Sequence, residues 1–525
     1  MYRKTGYIFG AIAGSYAAIC GLNQYMDGYN ETQFIKAVTA QNLRKDAENI
    51  FPRNPSSTST TDYGKQNLSI NQAIVKARDL AYRMKDEVGA PGLVIGVSIN
   101  GRTVWAEALG MADVENRVPC HPDTVMRIAS ISKSMTMAVV AKLWQDGKLD
   151  LDKPVQYYVP SFPKKTFNKE EVTITTRQLV SHLAGVRHYK KPPANNKTNS
   201  KQVKDKKSEE ANSATAEKPD GSTVQGDSGE KEFYIRDRFA TIQDALKLFK
   251  DDDLMFKPGT SFLYTTHGWT LISAVVEAVA SEPFTEVMRK FFQVMGLKYT
   301  YLDEPEPLIY NRSRYYSKNA RGRLNNVPYV DVSLKWAGSG FLSTVGDLLR
   351  FGNAMLYSYQ WRNELEMLYP PGYLKAETMQ ALWTPQPGTT SKWGRCDGYG
   401  MGWFVVPSLQ EHGGGDIQKF SVGHTGGAVG ASSVLLIVPN TVPYPPSPAS
   451  PAAVISNGEL TSHTSSSPNS LSVFSSSKPV VTQSTEICIP CGVTVAIIMN
   501  LQNVGLQHLA MDIAALFRET QVPVS

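Results

Sequence analysis

A serine hydroxyl at its ordinary pKa is a poor nucleophile, and it gains reactivity only with a base and N–H donors in reach. Ser130-Ile-Ser-Lys133 offers both. If a helix starts near Ser130, Lys133 lies one turn on and on the same face, within reach of the serine oxygen. The first turn also presents free N–H groups and a partial positive charge to a developing oxyanion. The chemistry would be acyl transfer. S-x-x-K also begins at Ser161, Ser228 and Ser475, and its ordinary meaning is a helix-capping serine near a surface lysine, so further segments must supply partners. Tyr264-Thr-Thr266 follows the turn Lys257-Pro-Gly259 and heads the helix-like run Trp269–Ala280. His424-Thr425-Gly426-Gly427 is a glycine-rich strand edge whose small residues let backbone N–H groups approach a substrate. Taken singly, Tyr264 reads as a half-buried core tyrosine and His424 as a satisfied loop histidine.

The elements that must position these residues are legible in outline. From Ser69 to Met84 apolar residues follow helical spacing. Leu93–Ile99 and Thr103–Leu109 are β-rich runs joined by Asn100-Gly101, the dipeptide of a tight hairpin. Gly398–Val406, Ser433–Val438 and Val493–Met499 read as further strands, and Leu506–Phe517 as a closing amphipathic helix. Residues 125–390 carry mainly helical patterns. The expected class is therefore α+β, an antiparallel sheet built from both chain ends and flanked by helices, with an inserted helical region.

Ser130-x-x-Lys133, Tyr264-x-Thr266 and His424-Thr425-Gly426 resemble, in order, the S-x-x-K, Y-x-N and K-T-G motifs of the serine β-lactamase and penicillin-binding protein family. Gly147–Pro154, Ile174–Gly185 and Ala337–Asp347 are similar too, and the likeness spans roughly 69–520 outside the insertions. The stretches Ile309–Tyr357 and His424–Pro439 look like the animal mitochondrial branch. The resemblance implies a serine β-lactamase/transpeptidase-like fold, with Ser130 as acylated nucleophile, Lys133 as base and Tyr264 as proton shuttle. It further implies an oxyanion hole from the backbone N–H groups of Ser130 and Gly427, and substrate contacts from Thr266, His424, Thr425 and Gly426. Two departures matter. Thr266 stands where the family has Asn and offers one hydroxyl in place of an amide. His424 stands where the family has Lys, and its unperturbed pKa of about 6.5 leaves it mostly neutral at pH 7. A cation for a β-lactam carboxylate is missing, so weak or absent β-lactamase activity is expected, with peptide, amide or ester substrates preferred.

Composition sets the bounds. With 525 residues, 42% hydrophobic and 19% charged, the chain is mostly globular and large enough for a sizeable core. Lys+Arg 54 against Asp+Glu 48 leaves +6, too little to suggest nucleic acid. Five scattered cysteines argue against a disulfide framework. Arg3 and Lys4 precede an almost uncharged run, Tyr7–Leu22, read as a targeting or membrane-anchor segment within 1–30, followed by a linker over 31–68. A secretory signal, a mitochondrial import sequence and a signal anchor all fit; the resemblance favours mitochondria, in the intermembrane space. Residues 190–232, rich in Lys, Glu, Ser and Asn, and 441–486, rich in Ser and Pro, read as disordered insertions into a catalytic domain spanning 69–520.

Other patterns carry less. His412-Gly-Gly-Gly415 lacks an accompanying G-x-S-x-G elbow. Cys488-x-x-Cys491 lacks a second pair, and Gly398-x-Gly-x-Gly402 lacks the helix of a dinucleotide site and reads as a thin strand beside the cleft. No metal, nucleotide or other cofactor is expected. The mitochondrial relatives also imply a link to lipid metabolism and assembly into homo-oligomers or filaments, so a membrane-proximal scaffold with little catalysis is the rival reading.

Overall fold

Ser69 opens the first helix, α1 (Ile70–Glu87), by a reciprocal cap in which its side chain accepts the Gln72 N–H and the Gln72 side chain accepts the Ser69 N–H. The computed structural model describes residues 68–189, 231–389, 397–410, 416–440 and 489–520. The expected leader, the linker up to residue 67, residues 190–230 of the Lys-rich insertion, the 441–486 insertion, His412–Gly415 and Cys488 lie outside the described residues. The buried face of α1 is Ala73, Ala77 and Ala81, a row of small side chains that lets it lie close to the C-terminal helix α5 (Gln507–Arg518).

After α1 the chain enters β1 (Gly92–Ile99) and β2 (Arg102–Asp113). Asn100 and Gly101 both take positive φ, 50° and 79°, as the expected tight turn requires. Strand β3 (Val118–Pro119) follows. The remaining strands come from the far end of the chain: β4 (Gly398–Tyr399), β5 (Phe404–Val406), β6 (Ser421–Ala428), β7 (Ala431–Pro439) and β8 (Gly492–Met499). Together they make one antiparallel sheet in the order β4-β5-β6-β7-β8-β1-β2-β3. The two chain ends meet where β1 pairs with β8, Leu93 opposite Met499 through Ile99 opposite Val493.

Both faces of the central strands are covered, which is why they read as unbroken apolar runs in place of alternating ones. Leu93, Ile95, Val97 and Ile99 pack towards α1 and α5, whereas Val94, Leu435, Ile437 and Ile498 face the helical region. On that second face lies α4 (Val345–Gln360), close enough that a Cβ on Gly352 would sit 2.7 Å from Thr494 Cγ2. The helical region contributes α2 (Ile131–Gln145) and α3 (His267–Ala280), both nearly enclosed.

Two expectations change. Gly398–Val406 is a hairpin, not one strand: the chain reverses at Gly402, φ 73°, whose N–H donates to Val180 O. The Lys-rich insertion does not extend to Glu232. Lys231–Tyr234 forms a 3-10 turn, and the Glu232 carboxylate is held by Arg187 at 2.8 Å, so residues 231 and 232 belong to the packed domain.

Candidate active site

The segment before α2 is strained in a specific place. Ala129, fully buried, has φ 48°, and Ser130 follows as the N-cap of α2 with φ −68°. The Ser130 side chain makes no capping hydrogen bond. That removes the ordinary explanation for a serine at this position and leaves Oγ for chemistry. Helix α2 is buried on every side from Ile131 to Ala141, so its polar residues bond to neighbouring elements: Ser134 Oγ donates to Gly402 O at 2.8 Å and Thr136 Oγ1 to Ala337 O at 3.1 Å.

Lys133 is fully enclosed on this helix. Its Nζ lies 3.0 Å from Ser130 Oγ, 2.8 Å from Gly338 O and 4.8 Å from the centre of the Tyr264 ring. No carboxylate is among those neighbours. Burial, and then the positive charge of Lys335, hold the amine well below the ordinary lysine range. Its proton is therefore held less tightly than on an exposed lysine, which is the condition a general base needs. Gly338 must be glycine to reach it, because a Cβ there would stand 2.8 Å from Thr266 Cγ2.

Tyr264 ends the segment leading into α3 and bonds through its phenol to Ser130. Burial pushes this phenol upward, which favours its protonated form. Its ring lies against His182, with centroids 4.3 Å apart. The next two backbone N–H groups are each accepted by an imidazole: Thr265 N donates to His182 Nδ1 at 3.1 Å and Thr266 N to His188 Nδ1 at 3.2 Å. Thr266 is the N-cap of α3.

A cleft of about 260 Å³ opens at this point, lined by five of the expected residues: Ser130, Tyr264, Thr266, Thr425 and Gly427. A Cβ on Gly427 would meet nothing within 4 Å, so this strand position faces the open cleft. Gly426 faces the other way, where a Cβ would lie 2.3 Å from Ile128 O; its lack of a side chain lets β6 run against the segment that carries Ser130. His424 also stands behind the wall. It is 1% exposed, donates from Nδ1 to Thr425 O at 2.7 Å, and accepts the Tyr399 hydroxyl at Nε2 at 3.0 Å. Burial and the nearby Lys133 push it down to about 3, so it is neutral and carries no charge into the cleft. The substrate contact expected of His424 and Gly426 thus becomes support of the wall.

Sequence reasoning missed His188, Tyr189, Phe233, Ser339 and Phe404, which complete the lining. It also missed the Gly338 carbonyl and Lys335. Both lie in or beside the stretch Ala337–Asp347, noticed only for its similarity. Tyr189 and Phe233 flank the Lys-rich insertion, and their rings come within 5.9 Å.

The Beta-lactamase family profile matches residues 77–505. The chain is 45% identical over 474 residues to the human serine beta-lactamase-like protein LACTB, mitochondrial, covering 85% of this chain and 80% of that one. The Mus musculus protein of the same name is 44% identical over 481 residues, with the same coverage. Among solved structures, the octameric penicillin-binding protein homologue from Pyrococcus abyssi superimposes with a TM-score of 0.58 at 19% identity, covering 85% of this chain and 78% of that one. Sequence and architecture agree that this chain belongs to the β-lactamase family, with a serine β-lactamase-like hydrolase fold.

Proposed function

We propose that the protein is a serine hydrolase that works through an acyl-enzyme on peptide, amide or ester substrates. The observation that carries this reading is the enclosed amine of Lys133, its pKa lowered by burial, 3.0 Å from a serine hydroxyl that caps nothing and lines a cleft. Ser130 Oγ bonds to the substrate carbonyl carbon as its proton passes to Lys133 Nζ. The resulting oxyanion is held by the backbone N–H groups of Ser130 and Gly427, a contribution of about 2.7–4 kcal/mol per donor in comparable sites. Collapse breaks the bond to the leaving group, which takes a proton through the Tyr264 hydroxyl, itself reprotonated from Lys133. Water then attacks the ester, gives its proton back along the same path, and frees Ser130.

The neutral His424 supports weak β-lactamase activity, since it offers no cation for a β-lactam carboxylate. Benzylpenicillin hydrolysis at rates typical of true β-lactamases would contradict this. The mitochondrial names of the relatives support a mitochondrial location. A fluorophosphonate probe tests the central claim: wild type is labelled and Ser130→Ala is not. Absence of labelling in wild type would favour a scaffold.

A further inference from the structure

The two imidazoles that cap the approach to α3 do the same local work and face different surroundings. Each accepts a backbone N–H at Nδ1, from Thr265 to His182 and from Thr266 to His188, so each is a neutral ring with its proton on Nε2. The Nε2–H of His182 is buried without a hydrogen-bond partner, among the rings of Tyr264, Tyr399 and Phe262. His188 lines the cleft beside Ser130, and its Nε2 has no protein partner among the described residues, yet is not among the fully buried unpartnered atoms. On a ring that lines the cleft, that unengaged N–H is available to a ligand bound there. Its ring is stacked on Tyr189, centroids 4.2 Å apart at 28°, so the direction of the donor is set by packing.

With Nδ1 engaged, His188 is an obligate donor. Burial above all pushes it down to about 3, so it presents no positive charge to attract an anion at physiological pH. What it can recognise is a neutral acceptor, and the surrounding Tyr189, Phe233 and Phe404 favour an apolar group next to that acceptor. The hydroxyls of the cleft-lining residues Thr266, Ser339 and Thr425 can donate or accept, whereas the His188 side chain is committed to donating.

We propose that His188 is a substrate-binding residue whose Nε2–H holds a second carbonyl oxygen, that of an amide adjoining the acyl group under attack, and so selects acylated aminoacyl substrates with an apolar side chain over simple esters. This rests on the acyl-enzyme reading of Ser130. It gives the cleft an amide contact that Thr266, with its single hydroxyl, does not supply.

The test compares two reagents that both phosphonylate Ser130, in the full-length chain. One is a plain alkyl fluorophosphonate; the other is the diphenyl ester of an N-acylated aminoalkylphosphonate with a benzyl side chain. The quantity read is the ratio of their labelling rate constants, which cancels any general loss of reactivity. His188→Phe keeps the stacked ring and removes the donor, and should lower the aminophosphonate-to-fluorophosphonate ratio by roughly 3- to 10-fold. His188→Gln, which retains an N–H donor and an acceptor for Thr266, should restore most of it. In wild type, a hydrocarbon analogue lacking the acyl amide should lose the same factor, a measurement that stands even where a variant fails to fold. A ratio unchanged in His188→Phe, or no loss with the hydrocarbon analogue, overturns the assignment and leaves His188 as a cap for α3. Failure of wild type to react with the fluorophosphonate would instead remove the acyl-enzyme reading itself.

Discussion

Two buried basic side chains, Lys133 and Arg187, show opposite uses of the same problem. Arg187, 9% exposed, forks onto Glu232 at 2.8 and 3.0 Å and reaches Asp252 at 2.6 Å. Burial alone would lower it, but the two carboxylates hold it above the ordinary arginine range. Lys133, fully enclosed, meets a carbonyl, a hydroxyl and an aromatic face, and its pKa falls. Pairing makes a charge a structural tie; leaving it unpaired makes a base. The tie also matters for the cleft, since Glu232 bonds to His267 on α3 and precedes Phe233 of the cleft wall.

The contrast can be broken from either side. The largest effect is expected from Lys133→Met, which removes the base and should slow fluorophosphonate labelling of Ser130 by about 10²- to 10⁴-fold. Arg187→Met leaves two carboxylates without their cation and should cost about 3 kcal/mol of stability, read as a lowered denaturant midpoint at unchanged slope. Equal stability in that variant would mean the ion network is ornamental.

His424 sharpens the comparison as a second buried base without a counter-ion. Its folded pKa of about 3 lies below the free value of 6.5, so the unfolded chain binds a proton that the folded chain refuses. Its stabilising contribution is complete above pH 6.5 and is lost as pH falls towards 3. At about 1.4 kcal/mol per pH unit, His424→Asn should remove about 2 kcal/mol of the stability loss seen between pH 7 and pH 5. The smallest effect belongs to Lys335→Met. Taking away the nearby positive charge raises the Lys133 pKa, so the acidic limb of the labelling profile moves to higher pH. At pH 6 the rate should fall by no more than about tenfold; a limb displaced to lower pH would show that Lys335 acts otherwise.

Much of this site was legible because its signals are local. Ser130 and Lys133 lie one helical turn apart, and that spacing alone brought Nζ to 3.0 Å from Oγ. Asn100-Gly101 announced its hairpin in the same way. His424 and Gly426 were read as substrate contacts because a motif records which residues stand together, while the pleat of β6 decides which of them face the cleft. Gly427 and Thr425 face it; their neighbours are turned into the wall. His188, Gly338 and Lys335 gave no usable signal, since each acts through a group brought near by folding.

The sequence by itself determined the α+β class, the joining of both chain ends in one sheet and the setting of Lys133 one helical turn from Ser130, because helix period, strand pattern and turn chemistry are properties of a few adjacent residues. The tertiary structure alone decided that the lysine is enclosed without a carboxylate and its pKa lowered, that His424 is buried behind the cleft wall, and that His188 lines the cleft. Those depend on desolvation and on partners distant along the chain, and a residue's surroundings are set only when the elements around it have packed.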